Sequence, residues 1–280
     1  MLSYRHIYHA GNFGDVFKHA LLSRLLLALS ARDKPYCYID THAGIGRYDL
    51  THPWAQQARE YENGIGRLWK AKDIPPAITP YLEAVRAENP DGNLRFYPGS
   101  PLIAKRFLRA SDRMVLSELN KVDFDELQDV FAGQRRVSLQ LMDAWQALTA
   151  YLPPAERRGL VLIDSSFDRP REFDRIVKAL KEAHARWASG MYAVWYPIMA
   201  PAPMRDFAAA IERSGMNKVL RLEIVVRELD DDAFIPGCGM LVVNPPWHFD
   251  EEARAVLQWL AQLLAVSGAG RSRVDWLVPE

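Results

Sequence analysis

Apolar residues recur along the chain at two spacings, and these spacings predict alternating helices and strands. Between Asp15 and Leu29 they recur every three or four positions, which is typical of an amphipathic helix packed on one face. Residues 36–40 then form a short run rich in β-formers, which predicts a strand. Similar short runs follow at 114–118, 160–164, 192–196, 220–226 and 240–244. This alternation predicts an α/β fold around a mostly parallel sheet.

Two stretches modify this simple alternation. An acidic loop without helical spacing separates the last two runs, so a hairpin with an antiparallel last strand is predicted to close the sheet. Between residues 53 and 93 the spacing turns helical, and Pro75-Pro76 divides the segment into two helices. We therefore predict a main domain of residues 1–52 and 94–280 and a helical insertion of residues 53–93.

Length, charge and cysteine content exclude several classes of protein. A chain of 280 residues can bury a large core, and its 35 basic and 35 acidic residues cancel, so any RNA-binding surface must be a local patch. The two cysteines, Cys37 and Cys238, lack the spacing of a zinc ribbon and do not suggest a disulfide framework. With neither a signal peptide nor an apolar run of about 18 residues, we expect a cytoplasmic protein without a membrane anchor.

Three of the predicted strands end in an acidic residue, namely Asp40, Glu118 and Asp164. Ligands of open α/β sheets bind outside the carboxyl ends of the strands, so these acids are expected at one binding edge. The loop Asp40-Thr-His-Ala-Gly-Ile-Gly46 lacks the third glycine of a dinucleotide site and the Gly-Lys-Ser/Thr of a P-loop. By itself this loop is equally compatible with a plain turn.

The segment from Gly159 to Phe167 carries the sharpest chemical signal. It is a buried strand followed by an acid, two serines and an aromatic residue. Amino-methyltransferases have Asp/Asn-Pro-Pro-Tyr/Phe here, where the acid and a carbonyl accept hydrogen bonds from the target amine and the ring stacks on a flipped base. A second such sequence, Asn244-Pro-Pro-Trp247, follows the predicted antiparallel strand, so we expect it at the opposite edge as a structural turn.

Sequence landmarks from one end of the chain to the other resemble the RlmJ family, the 23S rRNA adenine-N6 methyltransferases. They are Tyr4-Arg-His-Ile-Tyr-His-Ala-Gly-Asn12, Asp40-Thr-His-Ala-Gly-Ile-Gly-Arg-Tyr48, Gly64-Ile-Gly-Arg-Leu-Trp69, Tyr97-Pro-Gly-Ser-Pro-Leu-Ile-Ala104, Arg158-Gly-Leu-Val-Leu-Ile-Asp164 and Trp276-Leu-Val-Pro-Glu280. The resemblance implies a class I S-adenosylmethionine-dependent methyltransferase fold, Rossmann-like, with a small helical insertion. It also implies S-adenosylmethionine as cofactor, S-adenosylhomocysteine as product, no metal, 23S rRNA as partner and a monomer.

The resemblance also assigns roles to individual residues. Asp164 corresponds to the catalytic residue and Tyr4 to one that touches the substrate. The positions that match cofactor contacts are His19, His42, Ser100, Glu118, Asp143, Ala144 and Asp164. From the chemistry of the residues we add Phe167 as a stacking ring and Lys18 as a contact to RNA. The alternatives are a core histidine for His19, a loop residue for His42, a helix N-cap for Asp143 and a folded cap for the N-terminal segment.

One departure from the family pattern leaves other functions open. The family has Asp-Pro-Pro-Tyr where this chain has Asp164-Ser-Ser-Phe167, so the stiffness that proline gives the loop is lost. The alternatives are a DNA adenine methyltransferase, or a non-catalytic nucleic-acid-binding protein involved in using external DNA. Restoring the family motif is predicted from the sequence to raise methyl transfer.

Overall fold

An eight-stranded sheet forms the centre of the fold in a computed structural model that describes residues 5–228, 235–266, 268 and 270–280. A separate two-stranded sheet consists of β2 and β3. The strands are β1 (Cys37–Asp40), β2 (Arg47–Asp49), β3 (Phe96–Pro98), β4 (Arg113–Glu118), β5 (Val137–Leu141), β6 (Gly159–Ile163), β7 (Met191–Pro197), β8 (Val219–Val225), β9 (Gly237–Val243) and β10 (Arg271–Val278).

The strand order of the main sheet is β10-β8-β9-β7-β6-β1-β4-β5. Strands β7, β6, β1, β4 and β5 are parallel, and β9 lies antiparallel between β7 and β8. The predicted closing hairpin is therefore confirmed. Two strands of the main sheet, β5 and β10, lie outside the predicted runs. Strand β5 is a half-buried edge strand, and β10 pairs antiparallel with β8 at the opposite edge.

Helices cover both faces of the sheet. They are α1 (Phe13–Ser30), α2 (Pro53–Ala58), α3 (Ile65–Lys70), α4 (Thr79–Ala87), α5 (Ser100–Lys105), α6 (Lys121–Val130), α7 (Ala144–Tyr151), α8 (Glu172–Arg186), α9 (Pro201–Glu212) and α10 (Phe249–Leu264). Apolar residues of α1, α4, α5 and α10 form one core with the sheet. Those of α7, α8 and α9 form a second core on the other face.

The first helix, α1, differs from the prediction of an amphipathic helix packed on one face. It is buried on nearly all sides, and its buried residues include the polar Asp15, Lys18 and His19. Asn12 caps its N-terminus by accepting a hydrogen bond from the Asp15 amide at 2.9 Å. Because a buried polar group is costly unless it has a hydrogen-bond or charge partner, these three side chains require partners in the interior.

The segment predicted as a helical insertion contains α2, α3 and α4, together with a short 3₁₀ helix at Glu60–Asn63. It packs against the main domain, since α4 contacts α1 and the Ile65 amide donates to the Gly11 carbonyl at 2.8 Å. Its boundaries as a separate unit stay a prediction. Within the described residues, no helix combines the length and the apolar character that crossing a bilayer requires.

Candidate active site

A cavity of about 1010 Å³ lies at the carboxyl ends of β1, β4 and β6. It is lined by every predicted site residue that the structure describes, namely Lys18, His19, His42, Ser100, Glu118, Asp143, Ala144, Asp164 and Phe167. The tenth, Tyr4, lies outside the described residues. The expectation that the acidic strand ends share one edge is confirmed by the parallel register of the three strands.

The loop after β1 holds the carboxylate of Glu118. Gly44 has a φ of 59°, and its amide donates to Glu118 Oε2 at 2.9 Å, while the Asn120 amide donates to Oε1 at 2.8 Å. A β-carbon at Gly44 would lie too close to the Tyr48 hydroxyl, which explains why glycine is needed in this turn. Burial raises the pKa of Glu118, which the two amides partly offset. The carboxylate is thus fixed at the cavity wall and keeps lone pairs for further hydrogen bonds.

Asp143 does have the structural role that the sequence left open. It is the N-cap of α7, and its side chain accepts a hydrogen bond from the Trp145 amide at 3.0 Å. It also lines the cavity. A carboxylate has about four acceptor positions, so the cap leaves room for a second partner such as an adenine amine.

His19 is a buried histidine that lines the same cavity. Its Nδ1 lies 2.7 Å from the Tyr97 hydroxyl, which lies 3.0 Å from the Tyr81 hydroxyl. Burial, together with the charge of Lys18, lowers the pKa of His19 to about 3, so the ring is neutral at physiological pH. Its Nε2 is buried without a hydrogen-bond partner among the described residues. An orphaned polar atom of this kind is what a bound cofactor would satisfy.

A buried charge triad links α1 to the residue after β6. Lys18 Nζ lies 2.8 Å from Asp15 Oδ1 and 2.6 Å from Asp164 Oδ2. Burial acts to lower the pKa of Lys18, but the two carboxylates outweigh it and raise this pKa. For Asp15, the charges of Lys18 and His6 outweigh burial and hold the pKa well below its usual range. Lys18 is therefore charged and occupied by carboxylates, and its contact with RNA stays a prediction.

In the N-terminal segment that was expected to bind RNA, four of the described residues line the cavity, namely Arg5, His6, Ile7 and His9. Arg5 pairs with Asp123 at 2.8 Å and His6 Nε2 with Asp15 at 3.0 Å. Tyr8 stacks on Trp54 of α2 with ring centroids 5.5 Å apart. The folded-cap alternative is therefore correct for residues 5–8, and RNA binding by the same surface stays a prediction.

The loop after Asp164 contains contacts that the sequence did not reveal. Ser165 Oγ donates to Glu172 Oε1 at 2.6 Å, and Ser166 Oγ donates to Asp168 Oδ1 at 2.6 Å. The ring of Phe167 lies 4.9 Å from that of Phe173 and 6.1 Å from that of Trp195, between centroids. Phe167 has a positive φ of 54°, and these aromatic neighbours hold its ring in the cavity wall.

The second motif of the amino-methyltransferase type lies at the opposite edge of the sheet, as expected. Asn244 follows β9, whose last residue pairs with Tyr192 near the start of β7. The Asn244 Nδ2 donates to the carbonyls of Ala188 and Gly190 at 2.8 and 2.7 Å. The motif therefore forms a structural turn there, and it leaves Trp247 84% exposed.

The closing hairpin of the sheet and the glycine loop that faces acidic strand ends are features of class I methyltransferases, which use S-adenosylmethionine. A family model described as "Ribosomal RNA large subunit methyltransferase D, RlmJ" matches residues 33–278. The chain belongs to this RlmJ family and is an S-adenosylmethionine-dependent rRNA methyltransferase.

Relatives from several bacteria support this assignment over the full length of the chain. The "Ribosomal RNA large subunit methyltransferase J" proteins of Escherichia coli (strain K12) and Haemophilus influenzae are each 40% identical, and the matches cover 100% of both chains. The crystal structure of protein LPL1258 from Legionella pneumophila superposes with a TM-score of 0.89. It is 34% identical, and the match covers 96% of this chain and 98% of that one.

Proposed function

We propose that this protein transfers the methyl group of S-adenosylmethionine to the N6 amine of an adenosine in 23S rRNA. The observation that carries the proposal is the geometry of Asp164, whose Oδ2 accepts from Lys18 at 2.6 Å. No described residue donates to Oδ1 of the same carboxylate. An acceptor held in this way, beside the ring of Phe167, suits an aromatic amine whose base stacks on that ring.

The expected role of Asp164 is to orient the amine rather than to ionise it. An aryl amine is too weak an acid to lose a proton first, so its proton leaves during or after methyl transfer. A hydrogen bond from the amine to Oδ1 turns the nitrogen lone pair toward the methyl group. When bound, S-adenosylmethionine supplies an electrophilic methyl on a sulfonium. Lys18 fixes the other oxygen of the Asp164 carboxylate, Oδ2, by donating a hydrogen bond to it.

The residues present in the cavity fit the cofactor. Glu118 would accept hydrogen bonds from two ribose hydroxyls, and Asp143 and Ala144 at the start of α7 would lie at the adenine. The neutral His19 has an unpartnered Nε2 that can serve the amino-acid end together with Ser100. His42 also lines the cavity, and its Nδ1 lies 3.4 Å from the Asp164 amide nitrogen. Among the described residues, no three His, Cys, Asp or Glu side chains group as metal ligands.

Replacing Glu118 with alanine should weaken cofactor binding by roughly ten- to a hundredfold, because a charge-assisted hydrogen bond contributes about 1.5–3 kcal/mol. Titration calorimetry with S-adenosylhomocysteine measures the change. Glu182→Ala, an exposed change on α8, is the control and should bind like the parent. Unchanged affinity in a folded Glu118→Ala variant would show that the ribose lies elsewhere.

The substrate is tested by transfer of labelled methyl groups. The parent protein is incubated with protein-free 23S rRNA, 16S rRNA, intact large subunits and duplex DNA. We expect label in 23S rRNA and none in duplex DNA. Label in DNA alone would favour the DNA methyltransferase alternative, and RNA binding without transfer would favour the non-catalytic one. A cytoplasmic, monomeric enzyme is part of the same proposal, and sedimentation of the purified chain tests the monomer.

A further inference from the structure

Glu172, the first residue of α8, is a buried carboxylate that the sequence analysis assigned no role. Its Oε1 accepts the short hydrogen bond from Ser165, and its Oε2 lies 3.2 Å from Arg175 on the next turn of the helix. Ser165 and Glu172 are each only 6% exposed. Ser165 immediately follows Asp164 and stands where the family has its first proline, so the bond acts on the loop that sets the position of the catalytic carboxylate.

We propose that Ser165 and Glu172 are positioning residues that hold the catalytic loop in place of the first family proline. This inference rests on the proposed function, because it concerns how Asp164 reaches its working geometry. A proline restricts a loop through its own ring, before any contact forms. A serine leaves the backbone freer, so a comparable restriction must come from a bond to a rigid neighbour.

Glu172 has the properties that such an anchor needs. A charged acceptor makes a stronger and shorter hydrogen bond than a neutral one, and burial excludes competing water. The contact from Arg175 orients the carboxylate, and the position of Glu172 in the first turn of α8 fixes its backbone. The second serine differs in this respect. Ser166 bonds to Asp168 two residues away in the same exposed loop, so it links the loop only to itself.

The anchor also connects the catalytic loop with the predicted adenine end of the cavity. The Arg175 guanidinium lies 5.6 Å from the centre of the Trp145 ring, and the Trp145 and His42 rings meet edge to face at 6.0 Å. Glu172 also lines the cavity, but its hydrogen-bond partners Ser165 and Arg175 are not among the predicted cofactor contacts. Its loss should therefore lower kcat for methyl transfer much more than it weakens binding of the cofactor.

The first test compares single variants for methyl transfer to 23S rRNA. Glu172→Leu should lower kcat by roughly ten- to a hundredfold, since misplacing a catalytic group by about 1 Å has an effect of this size. Its Kd for S-adenosylhomocysteine should stay within about threefold of the parent, because His19, Glu118 and Asp143 are untouched. Glu182→Leu, on the exposed side of the same helix, is the matched control and should behave like the parent.

The second test is rescue by proline. In the Glu172→Leu background, Ser165→Pro should recover at least about tenfold in kcat, because the ring then supplies the restriction that the lost bond provided. Ser165→Pro alone should give no gain over the parent, since it removes the hydrogen bond while it adds the ring. The sequence alone predicts a gain from restoring the whole family motif, whereas the structure predicts no gain from this single change.

The rate of amide hydrogen exchange in the peptide covering residues 164–171 reports how firmly the catalytic loop is held, and it is measured without any substrate. We expect faster exchange in Glu172→Leu and recovery on addition of Ser165→Pro. The proposal would be overturned if Glu172→Leu lowered both kcat and the unfolding temperature and the addition of Ser165→Pro restored neither. If the parent methylates no RNA, the proposed function fails, whereas the exchange data still decide whether Glu172 holds the loop.

Discussion

Replacing Asp164 with alanine should lower methyl transfer to 23S rRNA by roughly a thousandfold, a loss typical of removing a preorganised polar group from a reacting centre. The change removes the carboxylate that is proposed to orient the target amine. The fold should survive, because Lys18 keeps Asp15 as a partner at 2.8 Å. Single-turnover transfer of labelled methyl groups measures the loss, and circular dichroism confirms that the variant is folded.

One further variant separates orientation from charge at Asp164, and a second variant is a control. Asp164→Asn keeps an oxygen acceptor, so it should retain more activity than Asp164→Ala. The exposed Asp174→Ala on α8 removes a carboxylate away from the cavity and should transfer at the rate of the parent. Near-parental turnover of Asp164→Ala would refute the assignment of this residue.

Replacing Lys18 with methionine should lower the free energy of unfolding by about 3–5 kcal/mol, because the buried carboxylate of Asp15 and the partly buried carboxylate of Asp164 lose their cation. The side chain of Lys18 is 5% exposed and lies between Asp15 and Asp164. Denaturant unfolding at pH 7.5 measures the loss. Lys34→Met, which changes an exposed lysine after α1, is the matched control and should have little effect.

The pH dependence of this effect follows from the direction of the two pKa shifts. The pKa of Asp15 is lowered, so its stabilising effect is present above its unfolded value of about 3.9 and is lost as the pH falls through the folded value. The pKa of Lys18 is raised, so its contribution is present below about 10.4 and is lost at higher pH. Burial acts to raise the pKa of Asp15, so without the cation this carboxyl group can take up a proton as the pH falls. The difference between parent and variant should therefore be smaller at pH 5 than at pH 7.5, and an equal difference would contradict the triad.

The buried strands were predictable because their residues are apolar on both faces. Gly159–Ile163 is an example, since every residue of β6 is buried and the run is continuous in the sequence. The edge strands β5 and β10 escaped prediction because they are only partly buried, so their patterns mix polar and apolar residues. The prediction that α1 packs on one face was wrong. The spacing of apolar residues does not show how many elements surround a helix, and α1 is buried on nearly all sides.

The residues of the candidate site that could be predicted are those that stand at strand ends or match the family pattern. Asp164 and Glu118 stand directly at strand ends, so their position follows from the topology. The partners of Lys18 and Ser165 depend on how side chains meet after folding. Asp164 is 146 residues from Lys18, and Glu172 approaches Ser165 only because a turn brings the start of α8 back over the loop. No spacing in the sequence encodes either contact.

The central claim is that the cavity positions an adenine N6 amine of 23S rRNA for methyl transfer, and analysis of the methylated nucleoside tests it most directly. Protein-free 23S rRNA is treated with the parent protein and labelled S-adenosylmethionine, digested to nucleosides and separated by chromatography with mass detection. We predict that all enzyme-dependent label elutes as N6-methyladenosine, and that Asp164→Ala yields none. Label in a nucleoside methylated on a ring nitrogen, on carbon or on the ribose would contradict the account.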